Sequence, residues 1–172
     1  MDEQRNPDEA GLSPVCRAFL SKLARTPDRA RRSKILAACA KVPRPWAEEL
    51  LWETLADPNE GVRDAAVRGL SERLPALHPE WALRRLSRPP WYARSSALTV
   101  IGRRRLREAL PGIEAAAGDT NADVRRAAAE ALGEIGGEPA LRVLVRLRKD
   151  PNPYVRTAAE GAIARTSGLR FS

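Results

Sequence analysis

The chain has 172 residues, 43% apolar and 30% charged, with a net charge of +8. That length suffices for one well-buried domain, and no apolar run approaches the 18 residues of a membrane helix. The basic excess is nearly all arginine, which favours acidic partners: nucleic acid, an anionic membrane surface or an acidic protein.

Residues 1–12 are polar and read as a disordered leader, without the basic start and apolar stretch of a signal peptide. A cytoplasmic protein is expected, with one domain over 13–167 and a tail over 168–172. Ser13-Pro14 opens the first helix, Ser as N-cap and Pro at the first helical position. From there the chain repeats every 31 residues. Arg32, Arg63, Arg94, Arg125 and Arg156 share one column. Pro27, Pro58, Pro89 and Pro151 form a second, broken only by Thr120, and Cys39, Leu70, Ile101, Leu132 and Ile163 form a third. A fixed period of this size signals a stacked array of one supersecondary unit.

Each unit reads as two helices. The first helices are predicted over 14–25, 45–56, 77–87, 107–118 and 139–149. The second are predicted over 30–41, 61–73, 92–104, 122–135 and 154–166. The units therefore run about 14–41, 45–73, 77–104, 107–135 and 139–166. Ala47, Leu50, Leu51 and Leu55 keep the i, i+3, i+4 spacing of a buried stripe. In the second helices the stripe is rich in alanine: Val62, Ala65, Ala66, Gly69, Leu70, then Val124, Ala127, Ala128, Ala131, Leu132. Small residues at those positions let neighbouring helices approach closely. The turns between helices read Asp57-Pro-Asn, Asp119-Thr-Asn and Asp150-Pro-Asn, which suits a turn or a helix start. No strand pattern appears.

The stretch Asp-x-x-x-x-Val-Arg-x-Ala-Ala-x-x-Ala-Leu-Gly resembles the HEAT repeat, in the short 31-residue form of bacteria and archaea also found in bilin-lyase-type proteins. Asp119 to Gly133 fits throughout, and Asp57 to Leu70 and Asp150 to Ile163 fit closely. The third unit departs, with Arg88 for the turn aspartate and Ala93 for valine. The first departs more, with Thr26 and Arg31 there. The resemblance implies an all-α, right-handed α-solenoid of five two-helix repeats, about ten helices. It further implies a structural ladder between neighbouring units, in which Asp57, Asp119 and Asp150 pair with arginines of the column Arg63, Arg94, Arg125 and Arg156. Arg32 and Arg94 have no turn acid in their own unit and are the expected exceptions.

The resemblance also implies that the second helices line a concave face. The repeat phase then exposes, in the third unit, Trp91, Tyr92, Ser95, Thr99 and Arg103. Across five units these positions hold six basic and six acidic residues. An unbroken basic track, which phosphate neutralisation would require, is absent. Trp91, Tyr92 and Tyr154, with Arg68, Arg103 and Arg126, are the candidate contacts for a partner, since Trp, Tyr and Arg are the usual interface anchors. The alternative for Trp91 is that it folds back on the turn. Five units stacked about 8–10 Å apart give a groove on the order of 40–50 Å long.

The basic clusters offer a possible anion site. Residues 17–44 hold nine Lys or Arg and one acid, and residues 84–107 hold eight Arg and no acid. The candidates are Arg29, Arg31, Arg84, Arg85, Arg103, Arg104, Arg105 and Arg107. Cations at a helix end suit its dipole, and the run Arg103-Arg104-Arg105-Leu106-Arg107 exceeds that need. Cys16 and Cys39 lack CxxC spacing and read as buried reduced thiols, so no metal is expected. Trp81 reads as core, and Trp46 and Trp52, at helix-start and outer positions, read as packing between units rather than as a base-stacking cage. His78 reads as a helix-start cap, and Glu48-Glu49 as a solvated face. No catalytic grouping or phosphate loop assembles, so the expectation is a non-enzymatic scaffold without cofactors that binds a protein or peptide. The alternative is a nucleic-acid-binding module on the basic edges, distantly like the HEAT-like alkylpurine DNA glycosylases.

Overall fold

The protein is described by a computed structural model over residues 13–73 and 76–168. The expected leader over 1–12 and residues 169–172 of the expected tail lie outside the described residues.

Among the described residues the chain is all helix and turn. The first helices of the units are α1 (Pro14–Ala24), α3 (Pro45–Thr54), α5 (Pro79–Leu86), α7 (Leu110–Ala116) and α9 (Gly137–Leu147). The second helices are α2 (Arg29–Cys39), α4 (Glu60–Arg68), α6 (Trp91–Arg104), α8 (Ala122–Ile135) and α10 (Pro153–Gly168). Most bounds fall within two residues of the sequence reading. The largest differences are local. A wide-turn segment, Gly69–Arg73, continues α4, and a short 3-10 turn, Arg107–Ala109, precedes α7.

The starts follow their capping residues. Ser13 accepts the Cys16 amide at 3.2 Å, and Asp28 accepts those of Ala30 and Arg31. Asn59 and Asn121 cap α4 and α8 in the same way. Each satisfies donors that a helix end leaves without partners. The turn aspartates work one step earlier. Asp57, Asp119 and Asp150 each accept, at 2.8 Å, the amide of the Asn two residues on. That bond shapes the turn before the helix begins.

Two layers result. The first helices α1, α3, α5 and α7 pack in sequence, and so do the second helices α2, α4, α6, α8 and α10. The core lies between the layers and takes in Leu50, Leu51, Leu98, Ile101, Leu132 and Leu144. Alanine and glycine set the spacing inside the second layer. Gly102 lies against the Ala131 backbone, where an added Cβ would come within 2.9 Å of Ala131 Cα. Gly133 lies as close to Ala162. This is why the second-helix stripe reads Ala-Ala-x-x-Ala rather than Leu-rich.

Candidate functional site: the arginine column and the second-helix face

The column arginines reach forward to the next unit. Arg94 donates from Nε and Nη2 to Asp119 at 2.8 and 3.0 Å, and Arg125 does the same to Asp150 at the same distances. Arg32 reaches Asp57 with one bond, at 2.6 Å. The pairing register is therefore 25 residues, from a second helix to the following turn. Arg32 and Arg94, expected to stand outside the ladder for lack of an acid in their own unit, are bonded to the acid of the next one. The arginines that meet no carboxylate among the described residues are Arg63 and Arg156.

Those two still have a place. Arg63 Nη1 donates to the carbonyls of Asp57 and Pro58, both at 2.9 Å. Arg156 Nη1 holds Asp150 and Pro151, and Arg125 Nη1 holds Asp119 and Thr120. Each of these arginines fastens its own turn. The Arg125 hydrogen bond holds the Asp150 carboxyl below its ordinary 3.8. For Asp119, burial pushes the value up, and the Arg94 bond, the Asn121 amide and the charges of Arg94 and Arg125 outweigh it.

None of the positions expected to be exposed on the second helices is buried, although Tyr92 and Ala122 pack against the core. Trp91 is 43% exposed and Tyr154 74%. Trp91 meets Tyr92 edge to face, with ring centroids 5.8 Å apart. Tyr92 is partly buried. Its ring lies under the Arg63 guanidinium at 4.5 Å, and its hydroxyl is 3.4 Å from the Ala56 carbonyl it donates to. The structure thus brings Trp91, Tyr92 and Arg63 together at the start of α6. Arg103 lines a 470 Å³ groove with Thr99, Glu130, Glu134 and Arg165, over a floor of Gly102, Ala127 and Ala131. Arg126 is engaged by Glu130 at 2.8 Å and Asp123 at 3.8 Å, and it borders a second cavity with Asp123, Asn152 and Tyr154. Arg68 is exposed on α4.

The anion candidates divide. Arg29, Arg31, Arg103, Arg105 and Arg107 are exposed. Arg84 and Arg85 are not available surface: Arg84 donates to Glu53 at 3.0 Å, and Arg85 is 4% exposed with Glu53 at 3.7 Å. Both face inward because α5 packs on α3, and Glu53 stands one repeat before Arg84. Burial pulls the Arg85 guanidinium down, and Glu53 offsets part of that. Arg104 donates to the Ser71 carbonyl, and Arg105 lies 4.0 Å from Glu134.

Several other expectations are corrected. Glu48 and Glu49 are 3% and 7% exposed rather than solvated. Glu49 accepts the amide and hydroxyl of Ser13, one unit back. Glu48 accepts the Trp52 indole and the His78 amide, one unit on. His78 stands at the N-cap of α5 without capping it; its Nδ1 lies 2.6 Å from Glu48. Trp52, in contrast, packs in the core as expected, 1% exposed. Trp46 stacks on Phe19 at 5.0 Å. Cys16 and Cys39 are buried free thiols, and burial, with Glu49 and Glu53 nearby, pushes Cys16 up to about 12. Among the described residues no group of three His, Cys, Asp or Glu could hold a metal ion. No helix among them is long and apolar enough to cross a membrane.

Two layers of helices in a 31-residue register define an α-solenoid built from two-helix repeats. The profile of HEAT repeats matches residues 79–164, and the chain belongs to the HEAT-repeat family. Deoxyhypusine hydroxylase of Danio rerio is 41% identical over 66 residues, 37% of this chain and 22% of that enzyme. Human deoxyhypusine hydroxylase, solved in complex with glycerol, is 26% identical with a TM-score of 0.57, over 69% of this chain and 42% of the human one. The chain thus spans less than half the length of either hydroxylase. A designed armadillo repeat protein in complex with the peptide (KR)4 matches with a TM-score of 0.54, over 86% of this chain and 80% of that one. At 17% identity that likeness is one of fold.

The hydroxylase matches overturn the expectation that the chain is no enzyme. The repeat stack of this chain is similar to part of an enzyme in both sequence and structure. A stacked array presents a surface, and a surface can carry chemistry, so the architecture never excluded it.

Proposed function

We propose that residues 13–167 form one repeat domain that binds a protein or peptide on the exposed, concave face of its second helices, in the cytoplasm. The observation that carries this is Trp91. It stands 43% exposed beside Tyr92. A large exposed aromatic where the other units carry Arg29, Glu60, Ala122 and Pro153 suits a partner contact. The groove between α6, α8 and α10 continues the same face, with Arg103 and Arg165 opposite Glu130 and Glu134. Charges of both signs suit a peptide backbone and mixed side chains better than a run of phosphates. Buried reduced cysteines fit a reducing compartment.

The basic edges support nucleic-acid binding less, since Arg84 and Arg85 are drawn to Glu53. Affinity capture from native extract separates the two. Capture that survives nuclease and moderate salt is the expected result. Sub-micromolar affinity for a defined nucleic acid at physiological salt would contradict the reading. A hydroxylase-related activity is the second reading and rests on the identity over 66 residues. Its test is the gain of one oxygen atom by a deoxyhypusine-bearing protein supplied with the chain, dioxygen and a two-electron reductant, the second oxygen atom leaving as water.

A further inference from the structure

Arg63, Arg125 and Arg156 share one posture, each with Nη1 laid on two carbonyls of its own turn. In Arg125 that posture aims the Nε–Nη2 edge at the Asp150 carboxylate, at 2.8 and 3.0 Å. The 25-residue register that sets Asp150 against Arg125 sets Arg88 against Arg63. Arg88 is a cation, half exposed, and its own Nη1 is directed to Glu53 at 3.8 Å. The Nε–Nη2 edge of Arg63 therefore meets no carboxylate among the described residues. Its Cζ lies over the Tyr92 ring, 4.5 Å from the centroid. Stacking occupies the face of a guanidinium and leaves its in-plane donors for an acceptor. Trp91, edge-on to Tyr92 and 43% exposed, borders the same spot.

We propose that the Nε–Nη2 edge of Arg63 is a carboxylate receptor, filled by an Asp or Glu side chain of a bound peptide whose neighbouring apolar residue packs on Trp91. This rests on the peptide-binding reading above and names the chemistry of the partner: an acidic segment with an aromatic or aliphatic residue beside the acid. The same edge of Arg94 and of Arg125 takes a carboxylate with two parallel bonds inside this chain. A planar fork in that posture is matched to a planar carboxylate. The net charge of +8 and the cation at position 88 favour an acidic partner over a basic one.

The test is a positional library of immobilised peptides probed with the full chain, with Arg63→Gln and with Arg88→Asp. The wild type should select Asp or Glu at one position with an apolar residue next to it. Arg63→Gln should weaken binding of the selected peptide by about tenfold or more, as loss of a charge-assisted pair requires. The Asn or Gln version of that peptide should bind both proteins alike. Arg88→Asp leaves the Arg63 bonds to its turn in place, supplies an internal carboxylate in register and should abolish acid selection. Peptides retained without preference for Asp or Glu, or a preference that survives both substitutions, would overturn the receptor and leave peptide binding standing. Selection of phosphoserine over Asp and Glu would overturn the choice of carboxylate. A library from which nothing is retained overturns the peptide-binding reading and this inference with it.

Discussion

Replacing Arg125 by Ala removes four hydrogen bonds: two to the Asp150 carboxylate and two to the carbonyls of Asp119 and Thr120. The Asp150 side chain is 5% exposed and that of Arg125 14%, so water does not readily replace the lost partner. Removing one member of a buried pair costs about 3–5 kcal/mol. Asp150 keeps the Asn152 amide, which places the loss at the low end, about 3 kcal/mol. At this chain length that is a fall in Tm of about 6–12 °C. Arg142→Ala is the control, because its pair with Glu138 is exposed on both sides, 67% and 74%, and such pairs contribute little. A cycle with Asp150→Asn completes the assay: the double variant should lose less than the sum of the singles by at least about 1 kcal/mol. Equal melting temperatures for Arg125→Ala and Arg142→Ala, or an additive cycle, would refute the ladder as a source of stability.

Acid titration reads the same pair, since stability from a depressed carboxyl is fully present above its unfolded value near 3.8 and is lost as pH falls through the lower folded value. Thermal stability should drop more steeply below about pH 4 in the wild type than in Asp150→Asn. Gly133→Ala should destabilise by about 1–3 kcal/mol despite the better helix propensity of alanine, because its Cβ would come within 2.7 Å of Ala162 Cβ and 3.1 Å of Ala162 Cα. Gly61→Ala, which meets only Asn59 Oδ1 at 3.5 Å, should leave the melting temperature unchanged or raise it.

The fold was legible because its physics is local and repeated. Ser13-Pro14 and Arg44-Pro45 mark helix starts, Val124 to Leu132 marks a buried face, and five copies of one arginine column mark the register. What was not legible lies between units. Column spacing shows that Arg94 recurs and not which carboxylate it meets; the resemblance implied pairing between neighbouring units, and the fold supplies the 25-residue register. Glu48 and Glu49 fall off the apolar stripe of α3 and so read as solvated. That helix is flanked by α1 on one side and α5 on the other, which buries a wider arc than a stripe suggests. The i, i+4 spacing of Glu48 and Trp52 was a usable sign of their bond. Arg84 stands 31 residues after Glu53, so the repeat itself could have paired them. The Trp91–Tyr92 position followed from the phase of the repeat, whereas the Arg63 over Tyr92 needed the packing of α6 on α4. The step from the lack of a recognisable catalytic grouping to an absence of chemistry reached too far, and the hydroxylase matches overturn it.

The central claim is that the second-helix face holds a protein partner at Trp91. It is tested most directly by comparing Trp91→Ala with the wild type in both partner affinity and melting temperature, with Tyr154→Ala alongside. Trp91 is 43% exposed, so its removal should leave the Tm nearly unchanged. Loss of a central interface aromatic should weaken binding by at least about 2 kcal/mol, close to thirtyfold. A Trp91→Ala variant that melts early and binds its partner as the wild type does would mean that the tryptophan serves packing and that the binding face lies elsewhere.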